Sequence, residues 1–244
     1  MPIQIMFPLE FIQTVLVIAH IAAGTTALVV APVAMVVRKG GKAHRRWGLV
    51  FFWAMFVIFV SAVALLAFRP NVFLFIISIL SFYAVFSGTR SLRRKRPEKG
   101  QRATWLDWLG AVVALFAGLS FIFWGTLPLL GLTRGDVPLS FSILGIAFGL
   151  FLTQMAWTDL RSFVIPPQDR NWWWFYHMDR LLSGYIAAVT AFMVQNVGPL
   201  LPAGLEWTVW AAPGVVGGML ISRWIGHYKR KFAAHTPKGT ASQM

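Results

Sequence analysis

The chain has 244 residues, of which 57% are hydrophobic and only 12% are charged. A soluble domain carries about twice that charged fraction, so the composition excludes a soluble globular protein and predicts one that lies in a bilayer. The formal charge of +14 comes from basic residues between the apolar segments. It therefore predicts anionic lipid headgroups, and not nucleic acid, as the partner. The chain has no Cys, which excludes disulfides and thiolate ligands.

Seven apolar segments are long enough to cross a bilayer as helices at about 1.5 Å rise per residue. The sequence therefore predicts an all-α, polytopic integral membrane helix bundle. A single domain is expected over residues 1–228, followed by a short basic cytoplasmic tail over 229–244. The predicted transmembrane helices are 11–37, 47–68, 72–88, 109–130, 141–157, 177–196 and 207–227. The third and the fifth are short unless they continue through Ser91 and Arg161.

Basic residues follow alternate predicted helices. Five Lys or Arg residues lie in 38–46, seven in 90–102, three in 161–180 and five in 223–238, whereas the other connections contain only Arg69 and Arg134. The positive-inside rule then predicts seven spans with the N-terminus outside and the C-terminus in the cytoplasm, in a bacterial inner membrane. The residues predicted to contact lipid headgroups are Arg38, Lys39, Arg45, Arg46, Arg93 and Arg94.

Small residues recur at intervals of four in three predicted helices, the fifth, the seventh and the first, which has Ala23, Ala27 and Ala31. Residues four apart share one face of a helix, and small side chains let helix backbones approach each other in lipid. The pattern predicts packing inside the bundle or, for the seventh helix, against another membrane subunit. The predicted helix-packing residues are Gly145 and Gly149 in the fifth helix and Gly214, Gly218, Ser222 and Gly226 in the seventh.

The histidines are the candidates for chemistry, because no Asp, Glu or Lys lies in the middle of a predicted span and a buried ionisable group is costly. His20 lies within the first helix, whereas His44, His177 and His227 lie near the cytoplasmic ends of three others. His20 and His44 are roughly 20 Å apart along the membrane normal, so they cannot hold one metal ion together. His44 and His177 are predicted to meet, and His227 lies at a similar level.

Neutral imidazoles suit haem b or a divalent metal. His20, His44 and His177 are therefore the candidate cofactor ligands, and His44, His177 and His227 the candidate metal ligands. Each also has a structural alternative: a headgroup contact for His44, a local ion pair for His177 and an interhelical hydrogen bond for His20.

Two short motifs resemble a known family. The run His20-Ile21-Ala22-Ala23-Gly24 and the later run His44-Arg45-Arg46-Trp47-Gly48 resemble an uncharacterised bacterial family of predicted membrane proteins that carries a domain of unknown function. His177-Met178-Asp179-Arg180 is similar to a later His motif of that family but lacks its His-Arg pair. The resemblance covers mainly the first three helices. It implies no activity, and it implies that His20, His44 and His177 form the set to test.

Three functions stay open on the sequence. Because no complete catalytic constellation is present, the sequence favours a non-catalytic accessory or assembly subunit of a larger bacterial membrane complex. The alternative is a haem- or metal-binding membrane redox or maturation protein that uses His20, His44 and His177. A small-molecule transporter is third, since the spans lack the charge near mid-membrane that ion-coupled transporters use.

Overall fold

The computed structural model describes residues 6–68, 70–133, 139–202 and 204–234. These residues form seven α-helices and no strands, which confirms the all-α prediction. Short 3₁₀ turns lie at Ser91–Arg93, Pro97–Lys99, Pro128–Leu130 and Gly198–Leu200. The helices are α1 (Met6–Val36), α2 (Lys42–Leu65), α3 (Val72–Arg90), α4 (Trp105–Thr126), α5 (Leu139–Val164), α6 (Trp172–Asn196) and α7 (Thr208–Ala234).

Six of these helices, α1 to α6, are long and apolar enough to cross a membrane, which fits the prediction of a multi-span membrane protein. Within the described part of the chain, α7 is long enough but less apolar. Pro213, several glycines and Arg223 lower its mean hydropathy. It is nevertheless a continuous helix that packs against α6.

Several helices extend beyond the predicted spans. α5 ends at Val164, whereas the predicted span ended at 157, and α6 begins at Trp172 rather than at 177. Polar residues continue a helix past its apolar part because the backbone hydrogen bonds do not depend on hydropathy. α7 continues through the predicted boundary at 228 to Ala234. Residues 235–244 of the predicted tail, and also Arg69 and Arg134, lie outside the described residues.

α3 is the central helix of the bundle. It contacts α2, α4, α5 and α6, and 67% of its membrane-length segment is buried, a larger share than in the other five candidate spans. The α1–α2 hairpin lies on one side of it and the α4–α5 hairpin on the other, while α7 packs against α6. One apolar core joins α3 to α4 and α5, and a second joins α3 to α1 and α2.

The connections rich in Lys and Arg meet at one end of the bundle, here called the basic end. The ends of α3 and α4 are joined there by the Arg90–Asp107 ion pair, and the first turns of α2 and α6 by the His44 and His177 rings. Trp174 of α6 packs on Tyr228 of α7 at the same end. The helices therefore alternate in direction, and the histidine-bearing helix ends are neighbours.

The predicted small-residue stripes have different surroundings. A Cβ added at Gly149 would lie 2.8 Å from the carbonyl oxygen of Gly118, and Gly145 also faces α4. By contrast, nothing lies within 4 Å of a Cβ added at Gly214, Gly218 or Gly226. The stripe of α5 therefore packs inside the bundle, whereas that of α7 faces outward. Ser222, which belongs to the α7 stripe, is exposed.

Candidate functional site

A cavity of about 420 Å³ lies at the basic end, between α1, α2, α6 and α7 and the turn after α3. Its wall is mainly apolar and aromatic, and Phe51, Trp173 and Trp174 contribute to it. His44 and His177 are the two histidines of the wall. The volume is in the range of small-molecule and cofactor sites, which have about 300–1,000 Å³.

The end of α1 orients His44. α1 stops at Val36, so the carbonyl oxygen of Ala34 has no partner further along the helix. His44 Nδ1 lies 2.9 Å from this oxygen, and Lys39 Nζ also donates to it at 3.3 Å. A carbonyl oxygen only accepts, so the proton of the neutral ring is on Nδ1 and the lone pair is on Nε2.

The end of α3 orients His177 in the same way. His177 Nδ1 donates to the carbonyl oxygen of Gly88, at 2.9 Å, in the last turn of α3. The two helices approach closely at this point, because a Cβ at Gly88 would lie only 2.6 Å from the Cβ of Arg180. The close approach brings the Gly88 carbonyl within reach of the ring. His177 Nε2 thus also carries the free lone pair.

The two imidazoles lie next to each other. Their ring centres are 6.5 Å apart, with an angle of 77° between the planes. Both hydrogen bonds found for these rings among the described residues are made by Nδ1. An imidazole whose Nδ1–H is held by a carbonyl and whose Nε2 is free is the usual form of a metal-ligating histidine. The pair can therefore supply two neutral nitrogen ligands.

Cations surround the same cavity. Lys39, Arg45 and Lys95 are part of its wall, and Lys95 Nζ lies 4.3 Å from the centre of the Trp173 ring. Partial burial of its ammonium group lowers the pKa of Lys39, although the residue as a whole is exposed, between α1 and α2. A ligand that combines an apolar body with acidic groups would match both the wall and these charges.

His20 lies apart from this site. Its Nδ1 is 2.9 Å from Ser61 Oγ of α2, and Ser61 donates its own hydroxyl proton to the carbonyl oxygen of Val57, at 2.6 Å. His20 therefore donates to Ser61 and joins α1 to α2, which is the interhelical hydrogen bond that the sequence left as its alternative. The structure brings two of the three predicted cofactor ligands together and leaves the third in the hairpin.

His227 does not join the pair. It is exposed on α7, with its ring against Tyr228, whose own side chain belongs to the cavity wall. In the part of the chain that the structure describes, no three His, Asp or Glu residues lie close enough together to hold a metal ion. The predicted set of His44, His177 and His227 is thus reduced to its first two members.

One of the six residues predicted to contact headgroups is buried, and the other five are exposed. Arg94 is only 4% exposed, and its guanidinium lies 4.5 Å from the centre of the Phe163 ring of α5. The 3₁₀ turn Ser91–Arg93 directs it into the bundle, a change of direction that a run of basic residues does not reveal. The other five are exposed: Arg38, Lys39, Arg45, Arg46 and Arg93.

A buried polar cluster next to the site is not evident from the sequence. Asp159 is fully buried, and its Oδ2 accepts a hydrogen bond of 2.5 Å from the Tyr83 hydroxyl. Its Oδ1 is 3.7 Å from Nη2 of Arg180, which donates to the carbonyl oxygen of Met155 at 2.9 Å. Asp159 lies beyond the predicted end of the fifth span, so only the longer α5 places it among helices.

No family model, no curated protein and no solved structure matches this chain. The resemblance carried by His20, His44 and His177 stays a prediction.

Proposed function

We propose that this chain is a membrane redox protein that binds haem b through His44 and His177. The observation that carries the proposal is the pair of imidazoles on one cavity wall, each held at Nδ1 and free at Nε2. Neutral imidazole is a usual ligand of haem iron, and two neighbouring imidazoles with free Nε2 atoms would together hold one iron. The observed distance between the ring centres is 6.5 Å.

The cavity favours haem over a bare ion. A volume of about 420 Å³ with a largely apolar wall exceeds what a single metal ion needs. Haem b has an apolar macrocycle and two carboxylates, and Lys39, Arg45 and Lys95 are available to neutralise them. The donor set, the wall and the charges thus fit one molecule.

The chain's own residues have separate roles in this proposal. His44 and His177 hold the iron, and the carbonyl groups of Ala34 and Gly88 fix the orientation of the two rings. Phe51 and Trp174 cover the apolar part of the ligand and limit its contact with water. The haem, when bound, supplies one-electron redox chemistry.

An absorption spectrum of protein purified in mild detergent tests the proposal. We expect a Soret band, a sharpened α band after reduction, and loss of both in His44→Ala and His177→Ala. His20→Ala and His227→Ala are matched controls and should keep the spectrum. A spectrum without a Soret band in protein supplied with haem would contradict the proposal. Bound copper in its place would point to His44 and His177 with Met35 and Met178, because thioethers favour copper(I).

We further propose that all seven helices span a bacterial inner membrane, with the N-terminus outside and the C-terminus in the cytoplasm. The basic connections at one end of the bundle support this orientation. α7 is long enough to cross, and its 27 residues correspond to about 40 Å. Reporter fusions at the two chain ends should report opposite compartments. The same compartment at both ends would contradict seven spans.

A second candidate function is that of an accessory subunit in a larger membrane complex. The outward stripe of Gly214, Gly218 and Ser222 on α7 favours it, because small residues on an open helix face allow another helix to approach. Native gels of gently solubilised membranes should then show a species much larger than 27.3 kDa plus detergent. The species should shrink in Gly218→Leu, whereas a free monomer in the native chain would contradict the second candidate.

A further inference from the structure

We propose that the bundle binds one small monovalent anion, of the size of a halide, in a buried cluster at the start of α6. The cluster consists of Arg94 after α3, Asp159 of α5, and Trp172, Tyr176 and Arg180 of α6. This site is separate from the histidine cavity, and the proposal does not depend on a bound haem.

The charges in the cluster do not balance. Arg94 is 4% exposed, Arg180 is 3% exposed and Asp159 is fully buried, so the cluster holds two guanidinium groups and one carboxylate. The half-buried Asp179 lies outside the cluster and interacts with Arg180, which leaves Arg94 as the guanidinium without a carboxylate of its own. Among the described residues Arg94 has no carboxylate within 4.0 Å, and burial lowers the pKa of its guanidinium. Burying an unpaired charge is expensive, so this cluster is stabilised by an added negative charge.

The unpaired atoms are mainly donors. Nε of Arg94, Nη1 of Arg180, Nε1 of Trp172 and the hydroxyl of Tyr176 are all buried without a hydrogen-bond partner. Oδ1 of Asp159 is an unpaired acceptor that already faces Arg180 at 3.7 Å, and the Tyr176 hydroxyl can accept as well as donate. Water would need donors and acceptors in similar numbers, whereas an anion only accepts.

Trp172, Tyr176 and Arg180 follow one another along the first turns of α6, and Arg94 lies next to the first of them. The Arg94 guanidinium lies 5.6 Å from the Trp172 ring centre, and the Trp172 and Tyr176 ring centres are 5.8 Å apart. The Arg180 guanidinium lies 4.7 Å from the Tyr176 ring centre. The four donor side chains therefore line one continuous buried strip at the boundary between α3, α5 and α6.

The N-terminus of α6 also favours an anion at this cluster. Trp172 is the first residue of a 25-residue helix, whose N-terminus carries a partial positive charge. Helix N-termini favour anions because their first N–H groups and the helix dipole act together. Here one unpaired donor atom on each of the nearly fully buried side chains of Arg94, Trp172 and Arg180 supplies the additional donors that a helix end alone lacks.

Thermal unfolding of the full chain in detergent tests this proposal. At constant ionic strength, sodium chloride and sodium bromide should raise Tm by about 4 °C over sodium gluconate, and the increase should saturate with concentration. Arg94→Gln should unfold at the same temperature in all three salts. Arg161→Gln removes a nearby exposed cation and should keep the difference.

A second measurement locates the anion directly. Crystals of the native chain grown in bromide should give an anomalous peak within hydrogen-bonding distance of the cluster donors. Equal Tm values in the three salts together with no bromide peak would overturn the proposal, since water alone would then satisfy the donors. A peak that persists in Arg94→Gln would also overturn the role of Arg94.

Discussion

The α4–α5 hairpin and the α1–α2 hairpin flank the same central helix but pack differently. In α4–α5 the helix backbones touch, and a Cβ at Gly118 would lie 2.9 Å from the carbonyl oxygen of Gly149. In α1–α2 side chains make the contact, since Ala27 of α1 is fully buried and Met55 of α2 is 1% exposed. Gly24 and Gly48 there have nothing within 4 Å of an added Cβ. The cavity with the two histidines lies on the α1–α2 side, and neither α4 nor α5 contributes to it.

The polar groups follow the same division. Near α4, Nε and Nη2 of Arg90 donate to the two carboxylate oxygens of Asp107, at 2.8 and 2.7 Å, and Asp107 also accepts from the backbone of Thr104. Near α1 and α2, His44 and His177 bond to backbone carbonyls and keep one nitrogen free. Arg90 and Asp107 thus satisfy each other, whereas His44 and His177 each present one unused nitrogen to the cavity.

The largest expected effect on stability is at the Arg90–Asp107 ion pair. Asp107→Ala leaves the Arg90 guanidinium buried without its carboxylate, and we expect a loss of about 3 kcal/mol in the free energy of unfolding. The control Glu98→Ala removes an exposed carboxylate and should change it by at most about 0.5 kcal/mol. Unfolding in detergent against denaturant measures both, and equal losses would contradict the comparison.

A pair of glycine substitutions compares the two hairpins directly. Gly149→Ala puts a Cβ 2.8 Å from backbone atoms of α4, which should destabilise the bundle by about 2 kcal/mol. Gly24→Ala has open space around it and should be neutral or stabilising by up to about 1 kcal/mol, because Ala favours a helix. If Gly24→Ala lowered the free energy of unfolding more than Gly149→Ala does, the open space around Gly24 would be contradicted.

The smallest effect on stability should come from His20, whose hydrogen bond to Ser61 joins α1 to α2. His20→Ala should cost about 1 kcal/mol, the usual value of one hydrogen bond. Ser61→Ala should cost a similar amount, and the double variant less than the sum, because both changes remove the same interaction. Unfolding measurements give the cycle, and additive losses would show that the two side chains do not interact.

Much of the architecture could be predicted from the sequence. Helices in lipid must satisfy their backbone internally, so long apolar segments identify α1 to α6 directly. Counting 1.5 Å per residue also separates His20 from His44 and places His44 and His177 at one level. α7 is less evident, because Pro213 and Arg223 reduce its mean hydropathy although its helix is continuous.

The partners of the polar groups could not be predicted. The oxygens that orient His44 and His177 belong to the backbone, and every residue has such an oxygen. Arg94 stands in a run of basic residues, and only the local turn distinguishes it from exposed Arg93. Burial of Asp159 depends on how far α5 continues past its apolar part. The mean hydropathy of a segment does not show which of its individual polar residues are buried.

The long separation between Gly88 and His177 also constrains how the protein is made. Their hydrogen bond joins positions 89 residues apart, whereas the α4–α5 hairpin is complete once Val164 has left the ribosome. At about 5–20 residues per second, synthesis of that interval takes on the order of ten seconds. A partly translated chain can thus assemble its glycine-packed hairpin but presents only one oriented imidazole, and a cofactor that needs both could be inserted only after α6 has been made.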